Sequence, residues 1–111
     1  MKYTDTAKGK TDKAIDTVKT ALEAELAKIT IGTDKVESDA RTAITTAIET
    51  AIATNTDTSN VVTVDGASAL TNTETTTGVK AYVGGTLTVK SGSDETLWDS
   101  VTVKVEYGAE G

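Results

Sequence analysis

From Val79 to Tyr107 the chain alternates apolar and polar side chains with a period of two, and no other feature restricts the fold as strongly. The odd positions carry Val79, Ala81, Val83, Gly85, Leu87 and Val89, then Leu97, Val101, Val103, Val105 and Tyr107 after the Ser91-Gly92-Ser93-Asp94 turn. The even positions carry Lys80, Tyr82, Thr86, Thr88 and Lys90, then Thr102, Lys104 and Glu106. The pattern predicts a long antiparallel hairpin, apolar on one face and wet on the other, with the last strand central in its sheet. Gly84-Gly85 inside such a strand marks a bulge, a bend or a close approach of another backbone. A half-apolar sheet needs a cover, and the first half of the chain can supply it.

Ile15, Val18, Leu22, Leu26 and Ile29 recur at spacings of three and four, with Ala14 and Ala21 beside them, which predicts an amphipathic helix over 11–28 capped by Thr11 or Asp12. Asp16, Lys19, Glu23 and Lys28 read as its solvated side. Ile29-Thr30-Ile31 is a brief strand or an extended linker ahead of Gly32. Asp34 followed by Glu37 suggests a capping box opening a second helix. That helix carries Val36, Ala40, Ala43-Ile44, Ala47-Ile48 and Ala51-Ile52, a four-residue repeat whose stripe winds slowly around the axis. Val61-Val62-Thr63-Val64 predicts a further strand, and the Thr-rich stretch 67–77 an irregular connection with little to bury beyond Leu70. The expected fold is α+β: a two-layer sandwich with two helices packed on one face of a mostly antiparallel three- or four-stranded sheet. The expected organisation is a single domain over 1–111, with 1–10 as a flexible lead-in, 11–54 as the helical layer and 60–107 as the sheet.

At 111 residues such a domain buries roughly 65% of its unfolded surface, enough for a core without staples. The chain has neither Cys nor His, which removes disulfides, thiolate chemistry, the usual zinc, copper and iron sites and the commonest general base. A net charge of −6 with dispersed acids argues against nucleic acid and anionic membrane surfaces as partners. No run approaches the roughly 18 apolar residues of a membrane span, so direct membrane insertion is not expected. Residues 1–10 contain no apolar core of a signal peptide.

Asn55, Asp57 and Ser59 have the spacing of a calcium-ligand series. The sixth position is Asn60 where that loop needs Gly, however, and the twelfth is Gly66 where it needs a bidentate Glu. Gly84-Gly85 leads into more strand and not into a helix, so it makes no phosphate cradle. Asp94, Glu95 and Asp99 gather near the hairpin turn, where solvation accounts for them. No catalytic, cofactor or metal residue is therefore expected, and no enzyme. Trp98, the single Trp, stands at an even position beside the apolar series; it either folds over the sheet edge or stands exposed. An exposed Trp98 with Tyr82 nearby would offer aromatic surface for a glycan or protein ligand, whereas a covered Trp98 suits a spacer.

About a fifth of the residues are Thr. The order of helix, Ile-Thr-Ile, Ala/Ile-rich helix (Ala43 to Ile52), Val-rich strand (Val61 to Val64), Thr-rich connection and Gly-rich hairpin (Gly85 to Gly92, Val101 to Val105) resembles modules repeated in large Gram-positive surface proteins, surface-layer-like or adhesin-like. The resemblance spans roughly residues 22–106. It implies a non-enzymatic structural or adhesive unit without cofactor, held extracellularly at the cell surface or wall, whose partners are neighbouring modules of the same parent chain. The alternative is a carbohydrate- or protein-binding module using Trp98 and Tyr82.

Overall fold

The computed structural model describes residues 12–31, 35–57, 59–73, 81–92, 94 and 96–108. The expected lead-in over 1–10, the Asp34 cap, Glu95 and the start of the hairpin at Val79-Lys80 lie outside them. Among the described residues two helices, α1 (Lys13–Ala27) and α2 (Glu37–Ala53), precede four strands: β1 (Val62–Asp65), β2 (Thr71–Thr73), β3 (Ala81–Ser91) and β4 (Trp98–Tyr107). All strand pairs are antiparallel, and both helices pack against β3 and β4. The fold is the α+β two-layer sandwich that the periodicities predict. Among the described residues no helix is long and apolar enough to cross a membrane.

α1 begins at Asp12, whose Oδ1 accepts a hydrogen bond from the Ile15 amide at 2.9 Å and so satisfies one of the helix's free N–H groups. Its apolar stripe of Ala14, Ile15, Val18 and Leu22 is buried. α2 starts differently from the predicted box. Val36 is the N-cap, its amide donates to Asp39 Oδ2 at 2.9 Å, and Glu37 is the first helical residue. Glu37 instead takes a side-chain bond from Arg41 Nε at 2.6 Å, one turn on. Ala40, Ile44, Ala47, Ile48 and Ala51 are buried, and the small residues let α2 lie close to its neighbours. Ile29-Thr30-Ile31 forms no strand.

Two features of the sheet depart from the sequence reading. β3, not the last strand, is central. Among the described residues β4 pairs only with β3, so it forms an edge. The stretch expected to be irregular holds a short 3-10 turn (Ala67–Ala69) and β2, with Leu70 buried between them. The missed strand has a physical reason: with three polar residues, Thr-Asn-Thr, it presents no alternation to detect. The Gly pair breaks neither strand nor register and, of the three readings open to it, is the close approach. Gly85 has φ +146° and is a close approach, since a Cβ there would stand 3.0 Å from Leu70 Cδ2.

The inward positions of the hairpin are the odd ones, as expected. Val83, Leu87, Val89, Val101, Val103, Val105 and Tyr107 join the helical stripes in one core. Tyr107 donates its hydroxyl proton to Asn72 Oδ1, which ties the end of β4 to β2 beneath the helices.

Candidate functional site

The even positions of β3 and β4 project to the face that the helices leave uncovered. Thr86, Thr102, Lys104 and Glu106 are exposed there, and β1 adds Thr63 and Asp65. Trp98 and Tyr82 both belong to this face, yet the register separates them. Trp98 stands opposite Lys90, and Tyr82 opposite Glu106, eight residues away along β3 or about 26 Å at a strand's rise. Both rings are half-buried and not exposed. The register therefore does not bring the two rings together: side chains at opposite ends of one strand cannot grip one small ligand.

The Tyr82 ring has local work instead. Tyr82 lies across Gly84, where a Cβ would come within 3.3 Å of its Cδ1 and 2.7 Å of the Val103 carbonyl oxygen. Lys104 Nζ sits 4.7 Å from the centroid of the same ring. A face already occupied by an ammonium is a poor platform for stacking a sugar. At the other end, the Lys90 ammonium next to Trp98 reaches Asp65 Oδ2 at 2.6 Å, across to β1.

The acids of the hairpin turn divide. Asp94 is exposed, and its Oδ1 accepts from the Thr96 amide and hydroxyl. Asp99 is not the solvated turn carboxylate that the sequence suggests. It is 2% exposed, faces inward opposite Val89, and its Oδ2 meets Lys19 Nζ at 3.0 Å. Lys19 is correspondingly withdrawn from the solvated side of α1, with its side chain 25% exposed. The pair went unread although the signal was present. In the odd series Leu97, Asp99, Val101 a carboxylate interrupts an apolar run, and an inward carboxylate demands a cation.

A second polar chain joins the layers. Ser91, buried at the end of β3, donates through Oγ to Asn60 Oδ1 at 3.0 Å, and Asn60 Nδ2 donates to Asp12 Oδ2 at 2.5 Å. The Asn55, Asp57 and Ser59 side chains turn onto their own loop. Asn55 Oδ1 accepts from the Asp57 amide, and Asp57 Oδ1 accepts from both the amide and hydroxyl of Ser59. The Ser59 hydroxyl, with its amide second, holds the Asp57 carboxyl below its ordinary value. Among the described residues no three His, Cys, Asp or Glu side chains converge as a metal site.

Three clefts open among the described residues. One of about 750 Å³ runs along α1 past Asp12, Asp16, Thr17, Thr20 and Thr54. A second, about 350 Å³, lies between Leu26, Ala27, Ile29, Thr30 and Ile31 on one side and Lys104, Val105 and Glu106 of β4 on the other. A third, about 210 Å³, lies where Lys13, Ala14 and Thr17 meet residues 54–57. None of the three brings a hydroxyl nucleophile against an organised base and orienting group among the described residues. Comparison with protein-family models, curated proteins and solved structures found no match.

Proposed function

We propose that the protein is a non-enzymatic structural module of a bacterial cell-surface protein, exposed outside the cell and joined end to end with neighbouring modules of the same parent chain. The observation that carries this reading is the position of the two ends of the described fold. Asp12, ahead of α1, is bonded through Asn60 to Ser91 at one end of β3. Tyr107, at the end of β4, stands opposite Ala81 at the other end. The chain thus enters at one pole of the sheet and leaves at the other, about 33 Å away over the length of β3. A unit threaded in this way extends a larger chain by its own length. A domain whose ends lie together adds only a side lobe.

The polar chemistry supports the same reading. The buried acid is paired, the loop acids hold turns, and the Tyr82 ring carries the Lys104 ammonium on the sheet surface. Localisation tests the proposal: an antibody against the domain should label intact cells that carry the gene, and surface proteolysis should remove the label. Labelling only after permeabilisation would overturn it. Its non-adhesive form is tested with the protein and its Trp98→Ala variant on a glycan array and in a wall-binding pull-down, where neither should bind. Binding that a still-folded Trp98→Ala variant loses would favour the ligand-binding alternative.

A further inference from the structure

α1 and β4, the first and last elements of the described fold, lie against each other and run in the same direction. Asp12 precedes α1 at the pole of Ser91, close to where β4 starts, and the end of α1 with the residues after it (Leu26, Ala27, Ile29, Thr30 and Ile31) shares a cleft with Lys104, Val105 and Glu106 near the end of β4. A pull on the chain entering at Asp12 and leaving at Tyr107 therefore drags two neighbouring parallel elements in opposite directions. One must slide along the other. Sliding strains every contact between them together, whereas a pull across the strands opens the sheet one contact at a time.

The Lys19–Asp99 pair bridges this sliding boundary. Its N–O distance is 3.0 Å and the Asp99 side chain is 3% exposed, so slip separates the ammonium from a carboxylate that water cannot readily reach. A short-range charge pair in such surroundings resists the first ångströms of movement more steeply than apolar contacts do, because apolar surfaces can slide while staying covered. We propose that the protein bears tension along its long axis and that Lys19–Asp99 is the clip locking α1 to β4 against sliding. The inference rests on the tandem-module reading for the origin of the load, but the mechanical property belongs to the single domain.

The test is single-molecule force spectroscopy on the full chain. One geometry pulls through folded handles fused to its two ends. The other pulls through Thr71→Cys and Glu106→Cys, exposed positions on opposite edges of the sheet in a chain that has no Cys of its own. The long-axis unfolding force should exceed the transverse force by about twofold at equal loading rate. The double variant Lys19→Met/Asp99→Leu exchanges the pair for apolar side chains. It should lower the long-axis force while leaving the transverse force and the urea midpoint unchanged.

Equal forces on the two axes overturn the load-bearing inference, and this comparison needs only surface substitutions if the double variant fails to fold. An unchanged long-axis force in a folded double variant overturns the clip. The surface reading fails separately: a protein labelled only in permeabilised cells that still shows the force difference loses its proposed location and keeps its mechanics.

Discussion

The two flanks of β3 solve the same packing problem in different ways. On one side β4 matches β3 residue for residue, from Ala81 opposite Tyr107 to Lys90 opposite Trp98, without a break in register. On the other side β1 and β2 share the work and are out of frame with each other. Continuing the frame of β1, which sets Val64 opposite Val89, would bring Thr71 opposite Tyr82; it stands opposite Gly84. The chain between them leaves the ladder at Gly66, whose φ of +106° is the left-handed region that glycine tolerates, makes the 3-10 turn and drops Leu70 against Gly85. One flank is held by repetition, the other by the Leu70 plug and a few polar ties: Arg41 to the Leu70 carbonyl, Tyr107 to Asn72 and Lys90 to Asp65. The repeated flank should have a register that single changes reveal strongly, and the plugged flank should depend on very few side chains.

The largest expected effect falls on the repeated flank. Val103 is 2% exposed and faces the helices, while its neighbour Thr102 faces solvent. Val103→Asp buries a carboxylate without a cation and should cost on the order of 3–5 kcal/mol, a large part of the roughly 5–15 kcal/mol that holds a domain of this size. Thr102→Asp should cost about 0.5 kcal/mol or less. Urea melts of the two variants measure the difference. If they unfold alike, the register is displaced by one residue and the two faces of the hairpin exchange roles.

On the plugged flank, Leu70→Ala removes the side chain that fills the gap between the two short strands and should cost about 2–4 kcal/mol. Its effect should also be local, with amides of β2 losing protection from hydrogen exchange before those of β3 and β4. Gly85→Ala attacks the same contact from below, at a φ of +146° and with Leu70 Cδ2 at 3.0 Å, and should cost about 1–3 kcal/mol. A Leu70→Ala variant that melts with the parent and keeps its β2 protection would show that something other than Leu70 holds this flank.

The difference between the flanks also explains what the sequence could tell. Alternation is visible where apolar and polar residues take turns over many positions, so the faces of β3 and β4 were legible from Val83, Leu87, Val101 and Val105 alone. The helical stripes around Ile15 and Ile44 were legible for the same reason. β2 was not, because Thr71 and Thr73 point to solvent and the inward Asn72 is polar, its side chain taken by the Tyr107 hydroxyl. The central place of β3 depends on this hidden strand, so the order of strands was misread along with it. Lys19–Asp99 is not legible in the sequence because each partner is ordinary alone, one on a helix face and one near a turn, and only the packing of α1 on β4 brings them together. That same inward charge suits an edge strand, since a buried carboxylate makes β4 a poor template for pairing with another chain.

Smaller effects should come from the links between the layers. Asp12 caps α1 with one carboxylate oxygen and binds Asn60 with the other, whereas Asp39 at the start of α2 bonds only the exposed Val36 amide among the described contacts. Asp12→Ala should therefore cost about 1–2 kcal/mol, at the upper end of a helix cap, and Asp39→Ala clearly less. Asn60 leads directly into β1, so Asp12→Ala should also loosen the plugged flank more than the repeated one. Hydrogen exchange at the β1 and β4 amides measures this. Equal loosening on both flanks would mean that the Asp12–Asn60–Ser91 chain supports the whole sheet and not one side of it.

The smallest expected effect tests the loop that carries α2 into β1. The Asp57 carboxyl is held below its ordinary value of 3.8 mainly by the Ser59 hydroxyl and next by the Ser59 amide. A carboxyl whose folded value is depressed binds protons less readily in the folded state, so its contribution is present above the unfolded value and is lost as pH falls through the folded one. Acid, below the ordinary carboxylate range, should thus loosen this turn, and neutral pH should keep it. Ser59→Ala removes the larger cause and leaves the amide, so Asp57 should titrate closer to its ordinary value without fully reaching it. The carboxyl is exposed, and its influence on the melt should be slight, which makes a carbon-13 NMR titration of the Asp57 side chain the proper measurement. An Asp57 that titrates identically in the parent and in Ser59→Ala would mean that the turn does not persist in solution. The plugged flank would then begin at Asn60, held by its bonds to Asp12 and Ser91 and not by the loop before it.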